Sequence, residues 1–68
     1  MKTKIKELRK ERKMSQEELA AEVGTTRQTI TSLEVGKYTA SLVLAYKIAH
    51  FFGRTIEEVF DFSEVEEM

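Results

Sequence analysis

The sequence of 68 residues contains no cysteine, no proline and no tryptophan, and only three of its residues are glycine. Without cysteine the chain has no disulfide framework and no thiolate ligands for a metal, which fits a reducing, cytoplasmic setting. No run approaches 18 apolar residues, so we expect neither a transmembrane helix nor a signal peptide. At this length the chain is expected to form one domain, near the lower size limit for independent folding.

Charged residues are distributed unevenly along the chain, although the net charge is only −1. Residues 1–56 hold all 11 lysines and arginines against six glutamates, whereas residues 57–68 hold six acids and no base. This asymmetry is compatible with a basic working surface and an acidic appendage, but also with an ordinary solvated surface and a polar tail. We interpret 1–68 as a single domain in which 61–68 is an acidic C-terminal tail.

Helical periodicity, with apolar residues spaced three or four positions apart, runs through most of the chain. The glycines at positions 24, 36 and 53 each follow such a segment and are expected to end a helix. The pattern predicts helices over 4–13, 15–24, 26–36 and 41–53. Two capping boxes, Ser15 with Glu18 and Thr55 with Glu58, mark helix starts, and the second opens a short fifth helix that includes Phe60. These features predict an all-α fold, a compact bundle of five helices.

The apolar stripes of these helices predict which side chains form the core. The inward residues are Ile5, Leu8 and Arg9; Leu19, Ala20 and Val23; Ile30 and Leu33; and Leu42, Ala45, Ile48, Ala49 and Phe52. The short fifth helix contains Ile56, Val59 and Phe60, of which Phe60 is expected inside. With Phe52 and Phe60 inside, Phe51 or Phe62 is left for an interface. The alternation from Phe60 to Phe62 also allows a short C-terminal strand over 60–65, which would pair with residues 1–3.

The second and third predicted helices have the spacing of a helix-turn-helix. Small Ala20 lies where two helices would cross closely, and Gly24 occupies the tight turn between them. This geometry exposes the outer face of the third helix, and a DNA major groove is wide enough to admit it. The side chains on that face that can hydrogen-bond base edges are Arg27, Gln28, Thr31 and Ser32. A polar face that only keeps the domain solvated is the alternative.

Three stretches carry a resemblance to a known family: LRKERKMSQEELA, GTTRQTITSLEVGKY and SLVLAYKIAHFFGRTIEEVF. Together they resemble the lambda-repressor/Cro-like family, also called the Xre family, from Ile5 to about Phe60. The resemblance implies a lambda-repressor-like fold and sequence-specific binding of double-stranded DNA. It also implies operator recognition, usually by a dimer. We expect a homodimer on a palindromic operator, acting as a repressor.

The resemblance assigns roles to individual positions. It places Arg27, Gln28 and Ser32 toward the DNA bases. It places near the DNA backbone Gln16, Thr26, Lys37 and Tyr38. It also implies a structural ion pair between Arg9 and Glu34 that links the first and third helices. Val35 and Ala40 stand where family members often have Asn and Pro. The family's roles are therefore least secure for the loop after Gly36.

An enzymatic role is not expected from this composition. His50 is the only histidine and Asp61 the only aspartate, and neither a phosphate-binding glycine loop nor zinc-ligand spacing is visible. We therefore expect no catalytic residue, no metal, no cofactor, no membrane contact and no small-molecule effector. The main alternative to a DNA-binding regulator is an antitoxin or adaptor that uses the same fold to bind another protein.

A dimer contact is predicted in the C-terminal part of the chain, because the helix-turn-helix must stay free for DNA. The apolar residues available there are Phe51, Ile56, Val59, Phe62 and Val65. The acidic residues expected to face away from DNA are Glu64, Glu66 and Glu67. A monomer with a disordered acidic tail is the alternative.

Overall fold

The computed structural model describes residues 1–66, and these residues form six helices and no strand longer than an isolated bridge. The helices are α1 (Ile5–Glu11), α2 (Gln16–Val23), α3 (Arg27–Glu34), α4 (Leu42–Phe51), α5 (Ile56–Val59) and α6 (Ser63–Glu66). The all-α fold and the five predicted helices are confirmed, each slightly shorter than expected. None of the helices in this part of the chain is long and apolar enough to cross a membrane.

Local side-chain caps determine where α2 to α5 begin. In each case a Ser or Thr hydroxyl accepts a hydrogen bond from the backbone N–H three residues later; the capping residues are Ser15, Thr26, Ser41 and Thr55. Both predicted capping boxes are present, because Glu18 and Glu58 also accept from the backbone N–H of their capping residue. Such a cap contributes about 1 kcal/mol, so the helix starts are encoded locally.

The core lies between α2 and the helices that surround it. The helix α2 packs against α3 and α4, while α1 packs on α3 and α5 packs on α4. The largest fully buried side chains are Ile5, Leu19, Ile30, Leu33, Ile48 and Val59. Phe52 and Phe60 are buried as predicted, whereas Phe51 and Phe62 are half-buried and pack against the edge of the core.

The burial of two residues is the reverse of what the sequence predicted. Val59, predicted at a dimer contact, is only 1% exposed, since it faces the core from α5 and has no surface to offer a partner. Leu42, predicted inside, is 77% exposed. The buried stripe of α4 runs through Leu44, Ala45, Ile48 and Ala49, and Leu42 lies about 90° around the helix axis from the centre of that stripe.

The predicted C-terminal strand is largely wrong. Phe60 forms an isolated antiparallel bridge with Thr3, and the Asp61 N–H donates to the Lys2 carbonyl at 2.9 Å. The expected pairing with residues 1–3 therefore exists, but it is confined to Phe60 and Asp61. Beyond it the Asp61 carboxylate accepts from the Ser63 N–H at 2.9 Å, and a single turn of helix follows instead.

Phe60 is extended, with φ −111° and ψ 130°, so it caps α5 rather than belonging to it. Glu64 and Glu66 are both exposed on α6, and their orientation away from DNA stays a prediction. The expectation for Glu67 lies outside the described residues.

A matched pair of valines tests this assignment of core and surface. We expect Val59→Ala to lower the free energy of unfolding by about 2 kcal/mol, because it removes buried methyl groups and leaves a cavity. Val65→Ala should change it by less than about 0.5 kcal/mol, because that side chain is 49% exposed. Urea denaturation measures both values, and equal losses would contradict the burial of Val59.

Candidate nucleic-acid interface

The turn between α2 and α3 fixes how the third helix is presented. Gly24 has φ +72°, a left-handed conformation that favours glycine, and the Thr25 N–H returns to the Ala20 carbonyl at 2.9 Å. Ala20 is buried, as the close crossing of the two helices requires. Because Ile30 and Leu33 are buried, the opposite face of α3 is directed outward.

A shallow groove of about 320 Å³ lies between this outward face and the loop that follows α3. Its lining residues are Thr26, Gln28, Thr29, Ser32, Lys37 and Tyr38. The structure therefore brings together two predicted base-facing residues and three predicted DNA-backbone residues on one concave surface. We call this surface the α3 groove.

One lining residue of the α3 groove was missed by the sequence analysis. The Thr29 hydroxyl lies 3.0 Å from the Thr26 hydroxyl, which in turn caps α3 by accepting from the Thr29 N–H. Thr29 stands three positions before Ser32, a spacing that places two side chains on the same helix face. That spacing could have identified it.

The loop after α3 is held by several backbone contacts. The Lys37 N–H donates to the Ser32 carbonyl at 3.1 Å, and the Met1 ammonium donates to the Gly36 carbonyl at 3.1 Å. Gly36 has φ +79°, and a Cβ there would lie 3.0 Å from the Met1 carbonyl oxygen. These contacts place the exposed side chains of Lys37 and Tyr38 beside α3, without the Asn and Pro that family members often have in this loop.

An ion pair joins α1 to the last residue of α3. Arg9 donates from Nε to Glu34 Oε2 at 2.8 Å and from Nη2 to Glu34 Oε1 at 3.2 Å. Its Nη1 donates to the Met14 carbonyl at 2.7 Å. The two side chains are only 11% and 5% exposed, so the paired charges are largely removed from water and their hydrogen bonds are satisfied within the protein.

Gln16 and Thr31 extend this pair into a chain of four side chains. Gln16 Nε2 donates to Glu34 Oε1 at 3.0 Å, and the Thr31 hydroxyl lies 3.1 Å from both Gln16 Oε1 and the Arg27 carbonyl. Both residues were predicted to contact DNA. In the structure their polar groups face each other across α2 and α3, and neither residue lines the α3 groove.

The remaining predicted base-facing residue, Arg27, occupies the first position of α3 and is exposed. Within residues 1–66 no three His, Cys, Asp or Glu side chains converge so that they could hold a metal ion. This surface therefore offers hydrogen-bond donors and acceptors, and it also carries the positive charges of Arg27 and Lys37. Such groups suit a nucleic acid, because the charges can contact phosphates while the polar groups hydrogen-bond to base edges.

This fold and this surface define a helix-turn-helix domain. The helix-turn-helix family matches residues 5–59, and the chain belongs to this family of DNA-binding transcriptional regulators, in its lambda-repressor/Cro-like (Xre) branch. An uncharacterized HTH-type transcriptional regulator of Archaeoglobus fulgidus is 56% identical over 66 residues, which span 97% of this chain and 93% of that protein. The cryptic phage CTXphi transcriptional repressor RstR of Vibrio cholerae is 37% identical, over 91% of this chain and 56% of that protein.

Solved structures share the fold. The hypothetical transcription factor NHTF from Neisseria aligns with a TM-score of 0.72 and 23% identity, over 94% of this chain and 76% of that one. Hydroxypropylphosphonic acid epoxidase from S. wedmorenis aligns with a TM-score of 0.70 and 31% identity, over 79% of this chain. The alignment spans only 29% of the epoxidase chain, so the likeness concerns the domain fold and not that enzyme's activity.

The ionisation of Glu34 connects this interface to pH. Burial opposes the charged form, but hydrogen bonds from Arg9 and Gln16 and the Arg9 charge outweigh it, so the pKa of Glu34 lies below its ordinary value of 4.5. A carboxylate whose pKa is lowered by folding stabilises the protein above its unfolded-state pKa, and this contribution is lost as the pH falls through the lower, folded-state pKa.

Comparison with Glu34→Gln isolates this contribution. At neutral pH we expect the free energy of unfolding of the variant to be about 3 kcal/mol lower than that of the wild type, because the substitution leaves the Arg9 charge without its partner. The difference should shrink below pH 4.5 as the wild-type carboxylate becomes protonated. Urea denaturation across this pH range measures it, with the exposed Glu22→Gln as the control. A difference that does not depend on pH would contradict the pairing.

Proposed function

We propose that this protein is a sequence-specific repressor of transcription that binds a palindromic operator as a homodimer, with α3 in the major groove. The observation that carries the proposal is the α3 groove, where groups suited to base edges and groups suited to phosphates line one surface. The similarity to regulators, among them a repressor, supports it. The proposal includes no enzymatic activity, cofactor or effector, and it places the protein in the cytoplasm, where bacterial and archaeal DNA is transcribed.

Three side chains of α3 are proposed to read the bases. Within residues 1–66 the side chains of Arg27, Gln28 and Ser32 make no hydrogen bond to the rest of the protein, so their polar groups remain available to DNA. Arg can bind guanine through two hydrogen bonds, Gln can bind adenine in the same way, and Ser can contact either. These residues supply specificity in the proposal.

The phosphates are proposed to be held from both sides of the α3 groove. Lys37 and Tyr38 lie on the loop after α3, and Thr26 lies at the N-terminus of α3. Gln16, at the first position of α2, is the remaining proposed phosphate contact. Such contacts fix the register of the protein on the duplex and carry no sequence information directly.

Binding assays on a duplex selected from a random pool, and on a scrambled duplex of equal length, test this proposal. We expect the selected duplex to bind roughly 10³-fold more tightly or better. The logarithm of the affinity should fall linearly with the logarithm of the salt concentration, because bound cations are released from the phosphates. Equal affinities would contradict sequence-specific reading, and no binding by the folded protein would favour the protein-binding alternative.

Two variants in the same assay distinguish base recognition from phosphate contact. Gln28→Ala should lose about 1–3 kcal/mol on the selected duplex and relax the preference at particular base pairs. Lys37→Ala should weaken binding to both duplexes equally and reduce the salt slope by about 1. An unchanged base preference in Gln28→Ala would mean that α3 does not lie in the groove as proposed.

We propose a dimer contact at a different surface from the one that the sequence predicted. With Val59 inside, the predicted tail surface retains Phe51, Ile56, Phe62 and Val65, of which the first three are half-buried. The outer face of α4 exposes Leu42, Val43 and Tyr46 more fully, and the Tyr46 ring stacks on His50 at 5.5 Å. This face, the outer α4 surface, has more apolar area to lose on contact with a second copy. We therefore place the twofold contact there.

Two variants that each add one carboxylate discriminate between these surfaces. Leu42→Glu should yield a monomer at micromolar concentration, since a charge would enter a desolvated contact. Val65→Glu on the tail surface should leave the dimer intact. Sedimentation velocity measures the outcome; the reverse pattern would move the contact to the tail, and a monomeric wild type would contradict the homodimer.

A further inference from the structure

We propose that Thr31 is a positioning residue, which orients the Gln16 amide toward a DNA phosphate and does not itself read bases. The inference rests on the proposed DNA-binding function. It departs from the sequence-based assignment of Thr31 as a base contact. It is carried by the hydrogen bonds that link Thr31, Gln16 and Glu34 across α2 and α3.

The two ends of the Gln16 amide have different partners. Its Nε2 donates to the Glu34 carboxylate at 3.0 Å, and its Oε1 accepts from the Thr31 hydroxyl at 3.1 Å. A carboxylate only accepts, so an amide rotated by 180° would direct its own oxygen at the negative charge of Glu34. The carboxylate therefore selects one orientation of the amide, and the Thr31 hydroxyl holds that orientation by donating to Oε1.

This orientation leaves one donor unused. An amide nitrogen carries two N–H groups, and within residues 1–66 only one of them, the one directed at Glu34, has a partner. Gln16 lies at the first position of α2, where the helix N-terminus also favours an anion. The second N–H is thus held in place to donate to a phosphate oxygen, and the ordering of a flexible side chain is completed before DNA arrives.

Thr31 is poorly placed for a base contact of its own. Its single hydroxyl proton is shared between Gln16 Oε1 and the Arg27 carbonyl, each at 3.1 Å. A hydrogen bond donated to a base would withdraw that proton from the amide. Thr31 is also absent from the α3 groove, which Gln28 and Ser32 line. Its position on α3 couples the phosphate contact to the helix that reads the bases.

The test compares Thr31→Val with Thr31→Ser on the selected duplex, on duplexes with single base-pair changes, and across salt concentrations. Valine keeps the branched shape but removes the hydroxyl, whereas serine keeps the hydroxyl. We expect Thr31→Val to bind all duplexes about 3- to 10-fold more weakly, the effect of one net hydrogen bond, and Thr31→Ser to bind like the wild type. Because the Gln16 contact is neutral, the salt slope should stay unchanged, unlike in Lys37→Ala.

A double-mutant cycle with Gln16→Ala shows whether Thr31 acts through Gln16. In the Gln16→Ala background, Thr31→Val should cause no further loss, because the side chain that it orients is gone. The side-chain amide signals of Gln16 in ¹H–¹⁵N spectra of the free protein provide a readout independent of DNA. They should move toward the positions of exposed glutamines in Thr31→Val and remain in place in Thr31→Ser.

Each other outcome overturns the inference. A changed preference at particular base pairs in Thr31→Val would assign base reading to Thr31, and an equal loss in the Gln16→Ala background would separate the two residues. Unchanged affinity or unchanged Gln16 amide signals would remove the positioning role. A wild type that binds no duplex would instead overturn the proposed function, and the inference with it, while the amide signals would still report on the hydrogen bond.

Discussion

The buried ion pair between Arg9 and Glu34 is the interaction on which the placement of α3 depends. Burying two charges costs free energy unless every donor and acceptor is satisfied, and here Arg9 uses three nitrogens while Glu34 uses both oxygens. Within residues 1–66 every buried side-chain nitrogen and oxygen has a partner. Few relative positions of α1, α2 and α3 can satisfy all of these bonds, so the pair specifies how the three helices are arranged.

The apolar core and this polar chain have complementary effects. Burial of Ile30 and Leu33 holds α3 against the bundle, but the hydrophobic effect is non-directional and allows a helix to turn or slide slightly. Hydrogen bonds from Glu34 to Gln16 and onward to Thr31 are directional. They fix the rotation of α3, which decides whether Gln28 and Ser32 face the same groove as Lys37 and Tyr38.

The sequence was informative wherever structure is encoded within a few residues. Ser15 and Thr55 begin helices because local side chains bind the free backbone N–H groups there. The hydroxyl accepts from the N–H three residues later, and the glutamate at that position accepts from the N–H of the capping residue. The inward positions of α2 and α3 follow from a period of 3.6 residues. The prediction failed where a local pattern was ambiguous. The alternation around Phe62 resembles a strand, but the Asp61 carboxylate accepts from the Ser63 N–H, and the residues from Ser63 to Glu66 form a turn of helix.

By itself, therefore, the sequence determined the helical class, the helix starts, the helix-turn-helix and its family, because caps, turn glycines and apolar spacing act over short distances. Only the tertiary structure decided that Val59 is buried while Leu42 is exposed, since burial at the edge of a stripe depends on which neighbour covers it. It also decided that Thr31 faces Gln16. That choice depends on a partner 15 positions away, which no local pattern in the chain specifies.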